Sequence, residues 1–492
     1  MIDVIKKEKT FLFFLLFLSL LVRSLFFVFF LSKNGNFRNM HSSDSYQYTD
    51  IALQIARGKG ISISNCSPTS LCDWHQDFFF LPEIYKGEKI EKPQVTPVFY
   101  RIPGYPLFIS LFYYLFGQDN IIVLWVQLIL SAFLAILIFL LSLALFPANI
   151  LAAKVSSIFA ALYFGFVLYS GTLMTESLFL ICLVPFFILF FKSFNLFFCG
   201  PNYLMFSGKR MFFAGIFLGL ASLIRPLGFC LIILSGLMFL FSRFNWREKL
   251  KGNFLLFVGW FLIVSWWLLR NLLLTGYLFF HTLAGRHFFI YPATRIAMRV
   301  YDCDYLEAKK IVEKEFVDKI LANEERREIR LKEIERSLIA EEISKKYFKM
   351  RPYLFIKHSI YHMLQTMFSC HSDDLRWLNL KISASYNEKA SFFKNIKNYF
   401  LPMLWNNSFI FWVYLELLFL IGFFGYLLIA LFYFERFCIL AKVLPYIFLF
   451  IFVTLATGFA RLRLPVDPFL IVLSANFWIY LLRKRFARSL SE

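Results

Sequence analysis

Runs of apolar residues as long as a bilayer is thick decide what this chain can fold into. The first covers about 11–32 and carries one charge, Arg23. A hydrocarbon core about 30 Å thick takes about 20 residues of helix. The same ruler finds nine more runs, at about 120–147, 151–171, 177–197, 210–225, 227–243, 253–273, 407–434, 441–458 and 465–483. With 59% hydrophobic residues among 492 and a mean hydropathy of +0.63, the composition is not that of a soluble globule. We expect an all-α polytopic membrane protein of about ten transmembrane helices, with bounds of about 8 to about 13. Two long polar intervals, 33–119 and 274–404, separate the runs. They divide the chain into a transmembrane module over 1–273 that includes the first outer loop, an extracytoplasmic region over 274–404, and C-terminal transmembrane helices over 405–492.

A net charge of +20 would suit a nucleic-acid binder if the protein were soluble, but the basic residues cluster in short segments between apolar runs. Lys6, Lys7 and Lys9 precede the first run. Lys154, Lys209, Arg210, Arg247, Lys249, Lys251, Arg436, Lys442 and the group Arg483, Lys484, Arg485 and Arg488 follow on the same side if there are ten crossings. That side is cytoplasmic by the positive-inside rule, so both termini lie inside and the two polar intervals outside. Nucleic acid is excluded as a partner, and membrane lipids are expected. The first run lacks a small-residue cleavage site and should remain as an anchor.

In the first outer interval, Ser45 to Ala56 reads as a short helix ended by Gly58 and Gly60, and Leu107 to Phe116 as an apolar stretch too short to span, lying on the membrane surface. In the second, Tyr305 to Lys349 reads as one charged amphipathic helix whose apolar set is Ile311, Phe316, Ile320, Leu331, Ile334, Leu338 and Ile343. Tyr353 to Phe368 could enter the bilayer. Cys66 and Cys72 lie outside and close enough to pair, with pairing left open, whereas Cys182, Cys199, Cys230 and Cys438 read as packing residues.

Asp44 stands just beyond the first apolar run, in the first turn of the next helix, where a carboxylate can cap backbone amides as readily as serve as a base. Glu176 sits at the outer mouth of the hairpin between the third and fourth runs. Five arginines lie on that same side, against the positive-inside rule: Arg101, Arg225, Arg270, Arg461 and Arg463. Each alone could snorkel to headgroups, but the planar fork of donors suits phosphate, and five together point to a phosphorylated substrate. His358, His362, His371, Asp373 and Asp374 have ligand-like spacing for a metal, although an interfacial helix explains the histidines equally. Arg23 reads as structural or as a contact to lipid phosphate.

The order of short motifs is informative. It runs Asp44-Ser-x-x-Tyr48, Arg101-x-Pro-Gly-Tyr-Pro106, Thr175-Glu176, Arg225-Pro226, Trp267-x-x-Arg270-Asn271 and Arg461-x-Arg463-x-Pro465. This resembles the bacterial branch of the dolichyl-phosphate-mannose-protein mannosyltransferase family, in the GT-C class that also holds the lipid A aminoarabinose transferase. The resemblance implies a glycosyltransferase of a bacterial inner membrane that uses a polyprenyl-phosphate sugar and transfers it with inversion to a hydroxyl of a lipid, glycan or protein acceptor. It assigns the catalytic base to Asp44. Many relatives carry a second acid beside the first, whereas Ser45 stands here, which leaves Glu176 as the candidate second carboxylate. The arginines are expected to hold the donor phosphate. No cofactor is called for, and a divalent metal shared by Asp44 and Glu176 is left open. The rival reading is a flippase or exporter of lipid-linked glycans without covalent chemistry, which would need polar groups running through the membrane.

Overall fold

The structure, a computed structural model, describes residues 2–34, 43–64, 95–194, 196, 206–283, 285, 292–327, 331–371, 410–456 and 458–489. Helices α1 (Ile2–Lys7) and α2 (Lys9–Asn34) lead to α3 (Ser43–Ala56), a ribbon of β1 (Ser62–Ser64) and β2 (Val95–Pro97), and α4 (Gly104–Phe116). Then come α5 (Asn120–Ala132), α6 (Leu134–Leu145), α7 (Ile150–Leu162), α8 (Phe164–Ser170), α9 (Glu176–Phe191), α10 (Gly208–Ile224), α11 (Leu227–Leu240) and α12 (Trp246–Thr275). The second polar interval forms α13 (Thr294–Val300), α14 (Tyr305–Arg327), α15 (Glu333–Met350) and α16 (Pro352–Phe368), and the chain closes with α17 (Ile410–Ala430), α18 (Phe434–Phe452), α19 (Ala460–Arg463) and α20 (Asp467–Ser489).

The described residues of all ten apolar runs lie mostly on helix, but length separates them. Five stretches are long and apolar enough to cross a membrane: Lys9–Phe29, Asn120–Leu145, Trp246–Thr275, Trp412–Ala430 and Phe434–Leu455. A sixth joins them if α7 and α8, bent by 46°, count as one span. The chain is a helical membrane protein on that measure, with five or six qualifying spans among the described residues and not ten. The shortfall is geometric: α9 has 16 residues, about 24 Å of helix, less than a hydrocarbon core.

Helix α9 is nevertheless central. Phe179, Phe186, Phe187, Phe190 and Phe191 are all buried, and the Phe187 ring meets Tyr446 at 5.1 Å and Phe469 at 4.7 Å between centroids. Helices α10 and α12 touch through glycine: a Cβ on Gly215 would lie 2.1 Å from Leu256 O, and one on Gly259 2.2 Å from Phe212 O, so only a missing side chain allows this approach. Arg23 is wholly buried. Its guanidinium donates to Ser131 Oγ, Ser19 O, Ser19 Oγ and Ala161 O, which ties α2 to its neighbours. At the end of the bundle where α7 begins, Lys154 pairs with Glu8 at 2.8 Å, and Arg483 donates to Asn149.

Three expectations change. The ribbon, pairing Ser62 with Pro97 and Ser64 with Val95, is an exception to an all-α fold. It is tied to α3 because Asp50 Oδ2 accepts from the Ser64 amide and hydroxyl. The single charged helix is instead two, α14 and α15, sharing a small core of Val312, Phe316, Ile320, Leu331, Ile343 and Tyr347, while Ile311 and Leu338 are exposed. Folding back lets two narrow apolar stripes cover each other. Finally, Cys438 is disulfide-bonded, not a packing thiol, whereas Cys182 and Cys230 are free. Cys66, Cys72 and Cys199 lie outside the described residues.

Candidate active site

Asp44 is the second residue of α3, and its two oxygens face two arginines from distant parts of the chain. Oδ1 accepts from Arg101 Nη2 at 2.5 Å, and Oδ2 from Arg461 Nη1 at 3.1 Å. Arg461, on the single-turn helix α19, also directs Nε to Glu176 Oε1, and Arg225 Nη1 approaches that same oxygen at 3.3 Å. Arg461 thus bridges the two carboxylates. Asp44, Glu176, Arg101, Arg225 and Arg461 form one connected network of three cations and two anions, one positive charge in excess.

Each member is placed by its element. Glu176 opens α9 and its side chain is fully buried; Arg225 caps the end of α10, and Pro226 caps the start of α11. Arg101 follows the ribbon, and the turn after it lies tight on α10, because a Cβ on Gly104 would come within 2.4 Å of Leu223 O. Its guanidinium also donates to Gln47 Oε1 at 2.7 Å and Tyr48 Oη at 3.3 Å, and sits 5.1 Å from the Tyr48 ring centroid. Asp44 and Arg461 form the accessible edge, with side chains 26% and 25% exposed. Burial raises the Asp44 carboxyl, but Arg101 and Arg461 outweigh it and hold the group well below the usual carboxylate range. Burial lowers Arg101 and Arg461, and their acidic partners more than reverse that, so both stay charged.

The other proposed phosphate ligands lie elsewhere. Arg270 donates to Val98 O and Ile61 O, stacks on Phe99 and Trp267, and so fastens the ribbon to α12. Arg463 is buried and donates to Asp467 Oδ1, Met367 O, Ser369 O and Tyr163 Oη. His371 joins this second cluster through Asp467 and through its amide to Glu416. His362 pairs with Arg295, and Asp373 and Asp374 lie outside the described residues. Among the described residues, no group of three or more His, Cys, Asp or Glu is placed to hold a metal. A divalent ion shared by Asp44 and Glu176 would have to take the position of the Arg461 guanidinium between them.

Sequence reasoning missed the supporting layer. Ser45 is buried with its hydroxyl on Met174 Sδ, so the position beside Asp44 packs α3 onto the loop before Glu176. Tyr105 packs edge-on to Tyr48 and donates to Gln127 Oε1 at 2.7 Å. The Gln127 amide donates to the carbonyls of Tyr169, Ser170 and Thr172, pinning that loop. A lone amide inside an apolar run was the available clue. Gln127→Leu is expected to release the loop, lowering the thermal midpoint and cutting activity by about tenfold at unchanged expression. An unaltered midpoint and rate would show that the loop holds itself.

No protein-family model matches the sequence, and no curated protein matches it. Among solved structures, the chain is similar to the archaeal oligosaccharyltransferase AglB from Archaeoglobus fulgidus, determined in complex with an inhibitory peptide and a dolichol-phosphate. Sequence identity is 13% and the TM-score 0.47, and the match covers 92% of this chain and 48% of that one. The chain therefore spans about half the length of that protein.

Proposed function

We propose that this protein is an integral-membrane glycosyltransferase that moves a sugar from a polyprenyl-phosphate donor to an acceptor hydroxyl at the outer face of the membrane. We read it as crossing the bilayer about ten times, shorter apolar helices such as α9 counted with the long spans, with both termini in the cytoplasm. The single observation that carries this reading is Arg461 bridging Asp44 and Glu176: an arginine cluster with excess positive charge, beside a part-exposed carboxylate, at the end of the bundle away from the Lys154 and Glu8 pair. Asp44 is the general base. It accepts the proton of the acceptor hydroxyl as that oxygen bonds to the anomeric carbon, while the bond from that carbon to the phosphate oxygen breaks on the opposite face, giving inversion. The departing polyprenyl phosphate gains charge, which Arg461, Arg101 and Arg225 stabilise from fixed positions. Glu176 holds Arg461 and Arg225 in place and does not touch the reacting atoms. Arg270 and Arg463 position the ribbon and α19, respectively.

The resting network also explains how a strongly acidic Asp44 works as a base. Paired to two guanidinium groups, it is ionised but weakly basic, and basicity matters for proton transfer. A donor phosphate takes a share of the Arg461 and Arg101 donors that now serve Asp44 and adds its own negative charge, and both effects raise the Asp44 pKa. The acid limb of kcat, which reports the loaded enzyme, is therefore expected at higher pH than that of kcat/KM, which reports the free enzyme. Coincident limbs would remove this part of the mechanism. For stability the sign is separate. The folded pKa lies below the unfolded value of about 3.9, so the pairing stabilises above about pH 4 and that contribution is lost as pH falls toward the folded value.

Incubation with radiolabelled polyprenyl-phosphate sugar and a membrane extract tests the proposal directly, because transfer yields a new glycoside and free polyprenyl phosphate. A protein that only moves the intact donor between leaflets would retire it.

A further inference from the structure

Helix α16 has its polarity reversed. Its buried side carries Ser359, His362 and Thr366 beside one apolar residue, Met367, with the Thr366 hydroxyl 3.1 Å from that of Thr454. Its exposed face is Tyr353, Ile356, Ile360, Leu364 and Phe368, spaced three or four residues apart, with Tyr353 70% and Ile356 55% exposed. A helix covering a water-facing domain would show the opposite arrangement. The apolar stripe continues beyond its end. Phe368 stacks on Phe424 of α17, with centroids 5.8 Å apart and planes at 10°. Ile421, Phe424 and Leu428 form an exposed face of that helix, which is apolar and long enough to span.

At the other end of α16 lies a cavity of about 710 Å³ lined by Arg299, Met350, Arg351, Tyr353, Lys357 and His358, among others. It holds three cations, and no carboxylate is among the described residues that line it. A basic pocket at the head of an exposed apolar stripe matches an amphiphile with a negative head and apolar tails.

We propose that this surface seats an anionic phospholipid of the surrounding bilayer, its phosphate held by Arg299, Arg351 and Lys357 and its chains lying along α16 toward α17. The seat is separate from the Asp44 network but linked to it. Arg463 takes the carbonyls of Met367 and Ser369 at the end of α16, and Arg463 shares the single turn of α19 with Arg461. Occupancy therefore braces the turn that carries the bridging arginine. The inference rests on the membrane reading and not on sugar transfer, and its test measures lipid only.

The experiment reconstitutes the full chain in nanodiscs of equal phosphatidylglycerol and phosphatidylcholine, then counts retained lipid by mass spectrometry after extraction into detergent. Retention of phosphatidylglycerol at least about tenfold above phosphatidylcholine is expected, falling to parity in the Arg351→Gln/Lys357→Gln double variant. A measurement on the unaltered protein guards against a misfolded variant: short-chain phosphatidylglycerol should raise its thermal midpoint in detergent and short-chain phosphatidylcholine should not. Equal retention of the two lipids, equal stabilisation by them, or undiminished preference in a folded double variant would overturn the proposal. So would displacement of phosphatidylglycerol by equimolar polyprenyl phosphate, since the seat would then belong to the donor.

Discussion

Asp44→Asn is expected to abolish transfer, by at least about a thousandfold, while the protein inserts, extracts and elutes as the wild type does. The general-base contribution is about 10²–10⁴-fold, and an amide cannot accept the acceptor's proton at any accessible pH. The substitution keeps shape and still offers an oxygen to Arg101, so the fold is not at risk. Because Asp44 is a quarter exposed, loss of its ion pairs with Arg101 and Arg461 is a screened, modest cost. Single-turnover transfer from a labelled donor measures the effect. Wild-type turnover in the purified variant would sink the assignment of Asp44 and leave the fold untouched.

Arg461→Gln carries the second large effect, on both stability and rate. Glu176 is fully buried, and removing the closer of its two cationic partners leaves its charge poorly compensated, at a cost on the order of 3 kcal/mol. Loss of one preorganised charge at the leaving phosphate adds about 10²–10³-fold in kcat. A double variant separates the two roles. Arg461→Gln with Glu176→Gln removes the stranded charge and should recover most of the thermal midpoint without recovering activity. Recovery of both would mean that Arg461 exists only to neutralise Glu176. Arg461→Lys keeps the charge but cannot bridge two carboxylates with one planar fork, so it should regain little of the rate.

Much of this site was legible in the sequence because its members share a local property. Glu176, Arg225 and Arg461 each stand where an apolar run begins or ends, and Asp44 and Arg101 stand in the polar interval after the first run, all on the side expected to lack the usual basic loops. Hydropathy alone therefore put them at one depth. The same reasoning put Arg270 and Arg463 there as well, and it could not separate them. Arg461 and Arg463 are two residues apart, which on a helix turns their side chains about 200° from each other. One meets Asp44 and Glu176; the other meets Asp467. Arg270 found its partners in the carbonyls of Ile61 and Val98, which flank a ribbon that a helical reading did not contain. The charged stretch from Tyr305 showed helical periodicity throughout, and periodicity does not register that the chain doubles back near Leu331.

The amino-acid sequence by itself determined where helices form and which ends are polar, because burial of an apolar run in lipid depends on that run alone. It also determined that two acids and several arginines gather at one end. Only the tertiary structure decided which charge meets which. Arg461 and Asp44 are 417 positions apart and lie 3.1 Å from each other, a separation set by the packing of α9, α10 and α19 around them. Ion pairing depends on ångström distances between remote residues, and no local pattern in the chain encodes those distances.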